Sequence, residues 1–168
     1  MNNVVLCGFM GCGKSTVGKN LARKTGRRFI DMDAYIESRQ GMTVSEIFEK
    51  LGEQGFRDIE HEVCVELSDM NNLIIASGGG AFTFKRNVEA FKGKDKIVFL
   101  DVKLDVIKQR LKNDTRRPLL QRPDRDRVME ELYNRRLPVY RDAADIIVEG
   151  QSTPLKTAYA VIEAVRLK

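Results

Sequence analysis

One eight-residue stretch constrains this chain more than any other. Gly8-Phe9-Met10-Gly11-Cys12-Gly13-Lys14-Ser15 satisfies G-x-x-x-x-G-K-[ST] at every specified position. A short apolar run, Asn3 to Cys7, precedes it, and a helical pattern from Ser15 to about Lys24 follows. In such a turn the glycines let backbone amides close around phosphate oxygens where a Cβ would clash. The helix then aims its unpaired N–H groups and positive dipole end at the anion. Lys14 suits β- and γ-phosphate oxygens, and Ser15 suits magnesium. The stretch predicts a nucleoside triphosphate site. By itself it does not separate kinases from GTPases, ATPases or nucleotide-dependent ligases.

The rest of the chain alternates strand and helix. Strands are predicted at Arg28 to Asp31, Leu73 to Ala76, Lys96 to Leu100 and Asp145 to Val148, besides the first run. Helices are predicted at Val44 to Leu51, Phe56 to Met70, Leu104 to Leu111, Arg127 to Leu137 and Leu155 to Leu167. Thr43 with Glu46 has the spacing of a capping box, which marks a helix start. Short apolar strands separated by helices imply a parallel sheet covered on both faces, a three-layer α/β domain. Asn113 to Asp126 carries two prolines, several arginines and no periodicity, which reads as a mobile surface loop of lid type.

Composition narrows the partners. Lys and Arg number 29 against 24 Asp and Glu, a formal net charge of +5. The basic residues thicken between Lys108 and Arg141 but alternate there with acids and prolines. No tryptophan is present, and aromatics do not interleave with basic residues as in single-strand binders, so anionic small molecules fit better than nucleic acid. No apolar run nears the ~20 residues that span a bilayer, and the first residues lack a signal-peptide pattern. Cys7, Cys12 and Cys64 are odd in number and lack metal-ligand spacing, which suggests reduced thiols in a cytosol. His61 is read as a solvated helix residue. Cys12, beside a helix N-terminus and Lys14, is either a reactive thiol or a buried, inert small residue.

Four features bear on what receives the phosphate. Asp31 and Asp33 are placed at the end of the second strand, on one face by alternation, with Met32 on the other. There they could assist a metal and accept a hydroxyl proton; solvated turn acids are the plainer reading. Arg57 is either a surface charge or a bidentate clamp for a carboxylate. Gly78-Gly79-Gly80 is a flexible turn or a place where ligand approaches the backbone closely. Arg116 and Arg117, with Arg135 and Arg136, are solvated charges or cations that close over a nucleotide.

Taken in order, these residues resemble the shikimate kinases. The resemblance runs from Leu6-Cys7-Gly8-Phe9-Met10-Gly11 through Asp31-Met32-Asp33, Ile47-Phe48, Gly52-Glu53, Phe56-Arg57 with Glu60, and Gly78-Gly79-Gly80. It continues through Arg117-Pro118-Leu119-Leu120 to Arg136 and Tyr140. It implies a three-layer α/β P-loop kinase fold, with a five-stranded parallel sheet flanked by helices and a mobile lid. A single domain over residues 1–168 is expected, with a substrate-binding region at about 33–62 and the lid at about 112–126. It implies transfer of the γ-phosphoryl of ATP to the 3-hydroxyl of shikimate, in chorismate biosynthesis, with Mg2+ as cofactor.

The same resemblance assigns Lys14, Asp33 and Arg117 to catalysis. Gly11, Cys12, Gly13, Lys14, Ser15, Thr16, Arg110, Arg117 and Ser152 would contact ATP. Asp33, Arg57, Gly78, Gly79, Gly80 and Arg136 would hold shikimate, and Ser15 and Asp31 the metal. A cytoplasmic monomer with no nucleic-acid or membrane partner is expected. Gluconate and nucleoside monophosphate kinases are the nearest rivals. A GTPase would need an Asn/Thr-Lys-x-Asp segment, which is not found, and a nucleotide switch would leave Arg57, Arg136 and the glycine triplet without a task.

Overall fold

Short runs of β-branched and leucine side chains build the centre of the molecule. A computed structural model describes residues 2–115 and 118–167. Its five strands are β1 (Val4–Cys7), β2 (Arg28–Asp31), β3 (Leu73–Ala76), β4 (Lys96–Asp101) and β5 (Ile146–Glu149). They form one parallel sheet in the order β2-β3-β1-β4-β5. Every residue of β1 and β3 is buried, as expected of strands with helices on both faces. The edge strands β2 and β5 keep partly exposed positions.

Among the described residues seven α-helices connect and cover the strands: α1 (Lys14–Thr25), α2 (Met32–Gln40), α3 (Val44–Ser68), α4 (Lys85–Phe91), α5 (Leu104–Arg110), α6 (Arg125–Ala143) and α7 (Pro154–Val165). The predicted capping box is present: Thr43 Oγ1 accepts from the Glu46 amide at 3.2 Å, and Glu46 accepts from the Thr43 amide at 2.7 Å. Thr43→Ala is expected to cost about 1 kcal/mol, which thermal denaturation should read as a melting temperature lower by about 2–4 °C. The two predicted helices around Gly52 form one element, bent where Gly52 takes φ 70°. Only glycine enters that left-handed region cheaply.

Two helices escape the periodicity reading. In α2 only Met32 and Ile36 are buried, and in α4 the stripe is Asn87, Val88 and Phe91, so neither repeats long enough to stand out. The placement of Asp31, Met32 and Asp33 on one strand is corrected accordingly. β2 ends at Asp31, whose carboxylate accepts from the Ala34 amide at 3.3 Å and caps α2, so Asp33 sits in the first helical turn. Helix α6 begins at Arg125, inside the segment expected to be a lid, and runs on through Pro138 to Ala143. His61 is half-buried rather than solvated, with Nδ1 3.0 Å from Asn87 Oδ1.

Candidate active site

The sheet order turns at β1: its successor lies two places to one side, and β4 lies on the other. Open parallel sheets place ligands at the carboxyl ends of such strands, and the glycine loop leaves β1 there. Gly13 precedes α1 with φ 97°, a conformation that opens the helix without a side-chain cap. Lys14 Nζ lies back over the loop, donating to the carbonyls of Gly8 at 2.7 Å and Phe9 at 3.2 Å. Arg110 braces it from α5, its Nη1 donating to Gly11 O at 3.2 Å and Cys12 O at 3.3 Å. Cys12 is 3% exposed, and a Cβ on Gly8 would lie 2.8 Å from its Sγ. The thiol is packed under the loop, with Lys14 Nζ 3.8 Å from its Sγ.

A cleft of about 550 Å³ opens beside the loop, lined by Met10, Gly11, Gly13, Lys14, Ser15, Thr16, Asp31, Asp33, Ser77 and Gly79. A second, of about 470 Å³, shares Gly11, Gly13 and Thr16 and extends to Arg110, Leu111, Asp114, Ser152 and Pro154. Residues scattered from 10 to 154 thus meet on one edge of the sheet. Arg116 and Arg117 lie outside the described residues.

At the mouth of α1, Ser15 Oγ donates to Asp31 Oδ2 at 2.6 Å. That pair, a hydroxyl and one carboxylate, offers hard oxygens beside a phosphate loop. Mg2+ is usually held in this way, by one or two carboxylates together with phosphate and water. Among the described residues no group of three or more His, Cys, Asp or Glu converges on a cage. The donor set therefore fits a metal that arrives with a nucleotide.

Asp33 faces the same cleft. Burial pushes its carboxyl above the ordinary aspartate value, the charge of Asp31 adds to this, and Lys14 opposes it. Such a shift keeps a carboxylate closer to the range in which it exchanges protons. The glycine triplet is shaped around these groups. A Cβ on Gly78 would lie 2.8 Å from Asp33 Oδ1 and 3.2 Å from Glu60 Oε1, and one on Gly80 would lie 3.0 Å from Arg57 Nη2. Gly79 instead faces open space, with no atom within 4 Å of its built Cβ.

Arg57 is locked by its own helix. Its Nη1 donates to both oxygens of Glu60, at 3.1 and 2.9 Å, and its guanidinium stands 4.9 Å from the Phe84 ring and 5.2 Å from that of Phe56. Its Nε is buried without a hydrogen-bond partner among the described residues. Glu60 is 1% exposed, and burial raises its carboxyl while Arg57 pulls it down. Arg136 Nη1 donates to Gly79 O at 3.1 Å, which joins α6 to the same corner.

Three contributors carry no role in the sequence reading. Glu60 anchors Arg57, Tyr140 donates to Gly79 O at 2.6 Å, and Ser77 lines the cleft. The i,i+3 spacing of Arg57 and Glu60 on a helix is a readable clue to the first. The clue to Ser77 is its place between a buried strand and the glycine triplet. Tyr140 offers no local clue, because its partner is 61 residues away.

A phosphate loop at the turn of a parallel sheet, sharing one cleft with the carboxylates of Asp31 and Asp33, fits a nucleotide-dependent phosphotransferase of the P-loop class. A family model described as shikimate kinase matches residues 10–166. A shikimate kinase of Thermodesulfovibrio yellowstonii is 42% identical over 165 residues, covering 97% of this chain and 94% of that one. The solved shikimate kinase from Acinetobacter baumannii, in complex with shikimate, superposes with a TM-score of 0.90 at 38% identity, over 97% of this chain and 92% of that one. A sugar kinase from a Janibacter species shares the fold alone, with a TM-score of 0.65 at 16% identity, over 99% of this chain and 95% of that one. The chain belongs to the shikimate kinase family.

Proposed function

We propose that this chain transfers the γ-phosphoryl group of ATP to the 3-hydroxyl of shikimate, giving shikimate 3-phosphate and ADP for chorismate and aromatic amino acid synthesis. The observation that carries this reading is that Asp33 and Gly79 share one cleft with Lys14, while the glycines flanking Gly79 pack on Asp33 and on Arg57. A carboxylate suits ring hydroxyls, and two arginines suit a planar carboxylate. Shikimate presents both groups on one ring.

The glycine loop and Lys14 hold the phosphates, Thr16 lies at the start of α1 beside them, and Arg110 with Ser152 borders the nucleoside. Ser15, with Asp31 behind it, would hold Mg2+, which would supply positive charge against the phosphates. Asp33 orients the 3-hydroxyl and takes its proton as the bond to phosphorus forms. Little negative charge develops on the attacking oxygen in a loose transition state, so orientation is the larger part of its task. Arg57 and Arg136 grip the carboxylate, with backbone of Gly78 to Gly80 lying against the ring. Arg117 is assigned to the lid over the phosphates, at residues 112–126, on the family resemblance.

A monomer is taken as the working unit, and three free, buried cysteines suit a reducing cytoplasm. Among the described residues no helix is long and apolar enough to cross a membrane. ADP release by the purified protein with Mg·ATP, compared across shikimate, gluconate and AMP, tests the reading. Turnover with shikimate alone is expected; turnover with another acceptor would keep the phosphate site and overturn the acceptor site.

A further inference from the structure

The carbonyl of Gly79 is held twice from one helix. Tyr140 Oη donates to it at 2.6 Å and Arg136 Nη1 at 3.1 Å, so both of its lone pairs are used. The two donors stand at i and i+4 on α6 and therefore share a face. They differ in freedom. Tyr140 is 2% exposed, and its ring stacks on Phe99 of β4 with centroids 5.6 Å apart. Burial holds its phenol at about 12, so it remains a donor across any working pH. Arg136 is only half-buried, on a long and flexible stem.

We infer that Tyr140 is a positioning residue for the acceptor site: its hydroxyl is the permanent donor that pins the Gly79 carbonyl. That bond keeps Gly78 against Asp33 and Gly80 against Arg57, and it frees Arg136 to exchange the same carbonyl for the substrate carboxylate. Without the hydroxyl, the carbonyl depends on Arg136 alone, and substrate must compete for that guanidinium. The inference rests on the reading of Arg136 as a carboxylate clamp.

Tyr140→Phe keeps the ring on Phe99 and removes only the donor. The expected result is a KM for shikimate raised five- to tenfold, with the KM for ATP changed less than twofold and a melting temperature within a few degrees of the unmodified protein. In an Arg136→Lys background the same substitution should raise the shikimate KM less than twofold, because the competing guanidinium is gone and effects on one shared group are not additive. An unchanged shikimate KM in Tyr140→Phe would overturn the inference. So would equal rises for both substrates, the mark of a merely structural role, or an undiminished effect beside Arg136→Lys. If the unmodified protein does not use shikimate, the acceptor reading falls and this inference with it. An active unmodified protein with an indifferent Tyr140→Phe removes only the role of Tyr140.

Discussion

Asp33→Asn is expected to lower kcat about 100-fold or more while leaving the KM for ATP within a few-fold of its original value. The amide keeps the size of the side chain and its place in the first turn of α2, so the phosphate loop is untouched. What it loses is the charge proposed to orient and deprotonate the acceptor hydroxyl. Steady-state kinetics with each substrate varied in turn separate these effects, and equal, modest losses in both would remove Asp33 from that role. Stability should move the other way. The folded-state pKa of Asp33 is raised, chiefly by burial. The folded protein therefore binds more protons than the unfolded chain between the ordinary and the raised value, and stability falls as pH rises through that window. At neutral pH the ionised carboxyl is a cost that asparagine does not carry. The variant should melt no lower than the unmodified protein at pH 7, and the acid limb of kcat/KM should lie above the usual carboxylate pKa of about 4.

Arg57→Ala should be the more damaging change to the fold. It removes the cation from Glu60, a carboxylate 1% exposed that takes two contacts from Arg57 Nη1. Breaking a buried pair from one side costs about 3–5 kcal/mol; the 15% exposure of the arginine side chain puts this case toward the lower end. At about 2–4 °C per kcal/mol, the melting temperature should drop by roughly 6–12 °C. The deficit should grow as pH rises, because only the ionised form of Glu60 lacks compensation. Pairing the change with Glu60→Gln removes the orphaned charge and should recover most of the stability. Shikimate affinity should stay impaired in that double variant, since the clamp proposed for the carboxylate is still missing. Full kinetic recovery would show that Arg57 serves the fold and not the substrate.

These effects trace back to groups that the sequence displays unequally. The phosphate loop is legible residue by residue, because its chemistry is local: a strand, closely spaced glycines, a lysine, a hydroxyl and a helix follow one another without a gap. The capping box at Thr43 is legible for the same reason. Helices α2 and α4 are not, since each buries only two or three side chains on one face. Losing α2 led to a strand geometry for Asp33 that the structure replaces with a helix cap at Asp31. The two carboxylates still line one cleft, by a route that alternation does not describe.

The acceptor corner needed the tertiary structure. Asp33, Arg57, Gly78 and Arg136 are individually ordinary, and each has a bland reading in a turn or on a surface. Only the sheet order brings the end of β2, the end of β3 and two helices to one place. Glu60 becomes a buried anchor because α3 turns it inward, and Tyr140 reaches Gly79 across 61 residues. The sequence by itself determined the α/β class, the glycine loop after β1 and the place of Ser15 at the start of α1, features carried by short stretches of chain. The tertiary structure decided the raised carboxyl of Asp33, the locked guanidinium of Arg57 and the doubly held carbonyl of Gly79. Those depend on desolvation and on long-range hydrogen bonds, which exist only once distant segments are packed together.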